Sequence, residues 1–123
     1  MSDLVDLAIE RRGDVIVARV TGELDLAGAP RTGDSIAEAV ATSARGLVVD
    51  FSELEFIDSS GVAMLFTLAR RLGGRRQELR VVAPEGSPVA RVLGIVEFSR
   101  AAPIHQDVDA AVRAMSGNGD SAG

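Results

Sequence analysis

Val5, Leu7 and Ile9 alternate with Asp6, Ala8 and Glu10, the two-residue period of a half-buried strand. Gly13-Asp14 then marks a turn, and Val15-Ile-Val-Ala-Arg-Val reads as a second strand paired with the first in a hairpin. Thr21 to Gly28 leaves that strand as a loop. From Ala29 to Ser43 the apolar positions Ile36, Ala37, Val40 and Ala41 take the helical period, with Pro30 placed where a first turn tolerates it. Leu47-Val48-Val49 is a continuous apolar run after Gly46, which suits a strand buried on both faces.

The helical period returns from Ser60 to Leu72 and stops at Gly73-Gly74. Leu79, Val81 and Val82 form a further strand, Pro84-Glu-Gly breaks it, and Ser87 to Leu93 is a short helix with Pro88 at its first position. Pro103-Ile104-His105 reads as a last short strand. A helix from Asp107 to Met115 turns Val108, Ala111, Val112 and Met115 inward. The remainder, 116–123, has nothing to bury and is expected to be disordered. Helices that separate buried strands imply parallel crossovers. The pattern predicts one α/β domain over 1–115, with a mixed sheet of four to five strands flanked by about four helices. Val15–Val20, Leu47–Phe51 and Leu79–Val82 are expected to run parallel.

Composition narrows the chemistry. The chain has 123 residues, is 46% hydrophobic and 25% charged, and contains no cysteine. Disulfides, thiol nucleophiles and thiolate metal sites are therefore absent. No apolar run is long enough to span a bilayer, and the acidic start MSDLVDLAIE argues against a secretory signal. A cytoplasmic protein without membrane partners is expected. A net charge of −5 disfavours nucleic-acid binding. All 13 basic residues are arginine, which removes every lysine-dependent mechanism at once.

The candidate chemistry lies at one junction, LVVDFSELEFIDSSGVAMLF over 47–66. In open α/β sheets, functional residues gather where strands end and helices begin. Three loops are expected at that rim: Gly22–Gly28, Phe51–Gly61 and Ala83–Pro88. Asp58 or Ser59 is the natural N-cap of the helix that follows. A cap alone does not account for Asp-Ser-Ser-Gly as a unit. An uncapping hydroxyl at a helix N-terminus, beside a glycine that permits close approach, also suits a phosphoacceptor. The residues alone leave capping and switching both open.

The competing readings fare worse. Asp50 ends a buried strand as a receiver phosphoacceptor would, but such a domain needs a late lysine; a loop or cap role fits better. Serine catalysis needs a base within reach, and the single histidine, His105, has no acidic residue before it to orient it. Asp25, Asp50, Glu53 and Asp58 lack the spacing of a calcium loop. No catalytic, cofactor or metal site is expected. Arg70, Arg71, Arg75, Arg76 and Arg80 cluster after the central helix, where the first pair complements the helix dipole. That helix carries Val62, Met64, Leu65, Phe66, Leu68, Ala69 and Leu72, more apolar residues than one stripe accommodates.

GELD over 22–25 followed by LVVDFSELEFIDSSGVAMLF resembles the STAS domain of bacterial anti-sigma factor antagonists. The later GGRRQELRVVAP and VARVLGIVEF fit the same pattern, so the resemblance runs from Leu4 to Met115. It implies a phosphoprotein of partner switching that regulates transcription, in stress response or sporulation. The unmodified form would bind an anti-sigma factor that is also a serine kinase, and a sigma factor would be freed. The kinase would phosphorylate Ser59, and a serine phosphatase would restore binding. Glu23, Asp25, Asp58, Ser60 and Gly61 would form the partner surface. The protein would be no enzyme and would behave as a monomer or weak dimer. Leu26-Ala27-Gly28 departs from relatives that carry more polar residues there. The alternative is a STAS module built into a larger signalling or transport assembly.

Overall fold

A hairpin supplies the first two strands of the sheet. In the computed structural model, residues 4–121 are described, with side chains for 4–115. Strands β1 (Val5–Arg12) and β2 (Val15–Leu24) pair antiparallel from Val5 opposite Gly22 to Arg12 opposite Val15. Gly13 turns the chain between them at φ +62°, a left-handed conformation in which glycine has no Cβ penalty. Helix α1 (Ala29–Ala39) follows, then β3 (Gly46–Asp50), β4 (Leu54–Ile57), α2 (Ser59–Gly74), β5 (Glu78–Val82), α3 (Pro88–Ile95), a 3₁₀ turn (Phe98–Arg100), β6 (Ile104–His105) and α4 (Val108–Ser121).

The strands form one mixed sheet in the order β1-β2-β3-β5-β6, with β4 also paired to β2. β2, β3 and β5 run parallel, as the apolar pattern predicts. The sheet has six strands, and β4 is the one the pattern concealed. Its segment Leu54–Ile57 buries only its two ends, so the two-residue alternation of a strand is missing. β2 also runs on to Leu24, through residues expected in a loop. Helix α1 ends at Ala39, four residues short of the expected boundary. Helix α4 passes the expected boundary at Met115; the side chains of 116–123 lie outside the described residues, and with them the expectation of a disordered tail.

The core has two layers because β3 is buried on both faces. On one face Ala18, Val20, Leu47, Val49, Phe51 and Val81 pack beneath α1, α2 and α3. On the other, Val15, Val17, Val48 and Val82 pack against Ala111 and Met115 of α4. Alternation along the strands makes this division. Helix α2 is apolar on three sides because it has neighbours on three sides. Leu65, Leu68 and Leu72 are buried in the core beneath it. On one flank Met64 meets Gly33 of α1; on the other, Phe66 meets Phe98 edge-on with ring centroids 5.0 Å apart.

Gly22 explains how two short strands share one edge of β2. β3 pairs with Val15–Arg19 of β2, the chain turns at Ser52-Glu53, and β4 continues along Gly22–Leu24 in the same direction. A register shift between Gly22 and Glu23 separates the two stretches. Gly22 sits at φ +90°, and a Cβ there would collide with the carbonyl of Leu4. Gly13→Ala, with open space around its Cβ, should lose only the left-handed penalty of about 1 kcal/mol. Gly22→Ala should lose more than twice that, because the backbone of Leu4 must move. Urea unfolding of the two variants checks this; equal midpoints would overturn it.

Candidate functional site

The rim where β2 and β4 end is assembled from backbone hydrogen bonds. Asp58 N–H donates to the Leu24 carbonyl at 3.2 Å, which holds the residue before α2 against the residue before Asp25. Asp25 closes its own loop: its Oδ1 accepts from Ala27 N–H at 3.0 Å, and its carbonyl accepts from Gly28 and Ala29 at 3.1 and 2.8 Å. The two acidic segments are thus neighbours by ladder geometry. Gly61 is needed for this closeness, since a Cβ would stand 2.6 Å from Ile57 Cγ1 and 3.0 Å from the Leu24 carbonyl.

Asp58 is the N-cap of α2. Its Oδ1 accepts from Ser60 and Gly61 N–H at 2.8 and 3.2 Å, and its carbonyl accepts from Val62 at 3.1 Å. The cap is therefore a carboxylate, and neither serine performs it. Ser59 is the first helical residue and is exposed; its hydroxyl has no hydrogen-bond partner among the described residues. Ser60, half-buried, faces α1 across a groove. Of the expected site residues, Asp25, Asp58, Ser59, Ser60 and Gly61 come together here. Glu23 does not join them in the same way. It pairs with Phe56 while Leu24 pairs with Ile57, and because Leu24 enters the core, Glu23 lies on the opposite face of the sheet.

The remaining polar candidates are occupied elsewhere. Asp50 is not a free loop acid: it is 1% exposed, accepts from Ser52 N–H at 2.9 Å, and pairs with Arg19 Nε at 3.3 Å. No group of three or more acidic or imidazole side chains among the described residues is arranged to hold a metal ion. The arginines expected as one cluster disperse. Arg71 faces Asp34 at 3.8 Å, Arg75 donates to the Val40 carbonyl, and Arg80 lies within the sheet between Glu78 and His105. His105, on β6, is 3.2 Å from Arg80 Nη1 through its Nε2; it offers no base to Ser59.

No helix among the described residues is long and apolar enough to cross a membrane. The STAS domain family matches residues 6–111, and the chain belongs to that family. Anti-sigma-F factor antagonist RsfB of Mycobacterium tuberculosis is 31% identical over 71 residues, which is 58% of this chain and 58% of that protein. The match therefore spans less than two thirds of the relative. The crystal structure of an anti-sigma factor antagonist from Mycobacterium paratuberculosis superposes with a TM-score of 0.81 at 28% identity, covering 91% of this chain and 94% of that one. Bacillus SpoIIAA in its phosphorylated form gives a TM-score of 0.66 at 24% identity, over 89% of this chain and 99% of its own, a likeness of fold.

Two outcomes follow from this geometry. Asp58→Ala removes an acceptor shared by two helix N–H groups and should destabilise the domain by about 1–2 kcal/mol, read as a lowered urea midpoint. His105 is held below the usual imidazole range, first by burial and then by the Arg80 charge, against a smaller opposing pull from Asp107. The unfolded chain then binds the proton more readily than the folded one, so stability should fall as pH drops through the ordinary histidine range. His105→Gln should flatten the unfolding free energy measured between about pH 7 and 5; an unchanged slope would refute the assignment.

Proposed function

We propose that this protein is an anti-sigma factor antagonist that works by partner switching, and that Ser59 is its phosphoacceptor. The observation that carries the reading is the division of labour at the start of α2. Asp58 supplies the cap, which leaves the Ser59 hydroxyl exposed and unpartnered at a helix N-terminus. The similarity to mycobacterial antagonists supports the general role. In this reading the unmodified protein binds an anti-sigma factor that is also a serine kinase, and a serine phosphatase reverses the modification. Asp25, Ser60 and Gly61 shape the surface around Ser59, Asp58 fixes the helix end, and Glu23 contributes from the end of β2 on the other face of the sheet. The chain itself carries out no turnover, requires no cofactor and acts in the cytoplasm.

Electrostatics gives the switch its direction. A kinase that modifies Ser59 must hold nucleotide phosphate against this hydroxyl, so the phosphoserine formed faces like charge across the interface. Phosphorylation adds roughly −1.5 to −2 charges. At ~6 Å and an effective dielectric of about 20, each unit pair costs about 3 kcal/mol. Asp58 adds to the repulsion, while the helix N-terminus offsets part of it. A net loss of ~3 kcal/mol weakens binding by more than about a hundredfold. The fold should be indifferent to the event because Ser59 is exposed and its hydroxyl holds no hydrogen bond among the described residues.

Calorimetry with the anti-sigma factor purified from the source organism tests this. Ser59→Ala should bind and resist phosphorylation, with Ser60 left unmodified in the wild type. Ser59→Asp should bind more than about tenfold more weakly with an unchanged circular-dichroism spectrum. Equal affinity of phosphorylated and unmodified protein would defeat the switch.

A further inference from the structure

A groove of about 340 Å³ runs between α1 and α2, and it begins where the Ser59 site ends. Its α2 wall is Ser60, Ala63, Met64, Thr67, Leu68 and Arg71, one continuous helical face at the i, i+3, i+4 spacing. From Ser60 to Arg71 that face is about 16 Å long. The α1 wall is Pro30, Gly33 and Asp34. Gly33 brings the helices close, since a Cβ there would stand 2.7 Å from Met64 Cγ; Met64 and Leu68 are buried and form the floor. The mouth is capped by Leu26, which is 72% exposed. Asp34 and Arg71 mark the far end with an exposed ion pair of 3.8 Å.

Each half of the site sends its next residue into this groove. Asp25 is followed by Leu26, and Ser59 by Ser60. A protein that covers Ser59 therefore meets the groove as the adjoining surface. We propose that Leu26 and the α1–α2 groove form an apolar docking site for an amphipathic helix of the same anti-sigma factor. About three turns of helix match the 16 Å trough, and apolar side chains at i, i+3 or i+4, and i+7 would lie along Ala63, Met64 and Thr67. The inference rests on the proposed function and adds the chemistry of the partner: an apolar row ending beside the phosphoacceptor. The chain's own segment Ser116-Gly-Asn-Gly-Asp-Ser-Ala-Gly has no large apolar side chain to fill the groove. Leu26 is the selectivity element, because a partner that presents a polar side chain there would bury it against leucine without a hydrogen bond.

The test uses the full chain and the anti-sigma factor purified from the source organism, with calorimetry and Ser59 phosphorylation as readouts. Leu26→Ser and Ala63→Glu are surface changes at exposed positions. Each should weaken binding about tenfold or more and raise the KM of the kinase for this protein, with kcat unchanged and an unaltered circular-dichroism spectrum. Ile95→Ser, at a side chain 75% exposed outside the groove, should bind as the wild type does. Wild-type affinity in Leu26→Ser and Ala63→Glu, while Ser59→Asp still binds weakly, would overturn the groove and leave the switch standing. An equal loss in Ile95→Ser would also overturn it. A concentration-dependent dimer abolished by Leu26→Ser would reassign the groove to a second copy of the chain. Failure of the wild type to bind any anti-sigma factor would remove the functional reading and this inference together.

Discussion

Every hydrogen-bonding group used by Asp58 is committed to a different part of the fold. Its N–H reaches the end of β2, its carbonyl starts the i to i+4 ladder of α2, and its carboxylate closes the first helical turn. One residue thus fixes where the sheet stops, where the helix starts and how the Asp25 loop lies beside both. The serine after it has no such duties. A side chain is available for chemistry here because its neighbour meets all the structural demands of the junction. Interchanging the two residue types would keep a capping oxygen at the joint but leave a carboxylate where the exposed hydroxyl now stands.

The helix that begins there is held on three sides, which resolves its excess of apolar residues. Leu65, Leu68 and Leu72 anchor it in the sheet core, Met64 in α1, and Phe66 in Phe98. Such packing makes α2 a rigid carrier for the hydroxyl at its tip. The opposite face of the sheet is built differently. α4 supplies Ala111 and Met115 to a smaller cluster, and ion pairs accompany it. Arg19 pairs with Asp50, and Arg12 with Glu10 and Asp109. The buried Asp50 carboxylate satisfies both oxygens there, one on Ser52 and one on Arg19, as burial of charge requires.

Much of this is legible in the sequence. The run Leu47-Val48-Val49 announces a strand covered on both sides, and the polar unit 58–61 between two apolar segments announces the site. β4 was hidden because Glu55 and Phe56 are both exposed, so its four residues mimic a loop. The Arg70–Arg80 cluster was a product of sequence adjacency: Arg80 enters a strand, whereas Arg70 and Arg71 remain on a helix. The order of elements already brings Gly22–Gly28 and Phe51–Gly61 to one rim. The Asp58 to Leu24 hydrogen bond that sets Asp25 beside Asp58, however, depends on β4 lying along the last rungs of β2. The groove was missed for a related reason, since its two walls come from different helices. The signal available in sequence is Gly33 within the first helix, whose missing Cβ leaves room for Met64.

The junction of β3 and β4 has a dynamic consequence. β1 and β2 share eight paired positions, and β3 is bonded along both edges, but β4 meets β2 at only three. Local opening that detaches β4 breaks fewer bonds than opening the central ladder, and it frees the Asp58 amide as it does so. Local opening is therefore cheaper at the three β2–β4 rungs beside Asp58 than in the central ladder, and amide exchange should be faster there. A partner covering Ser59, as proposed, would meet a firmly packed helix beside a strand held by only three rungs.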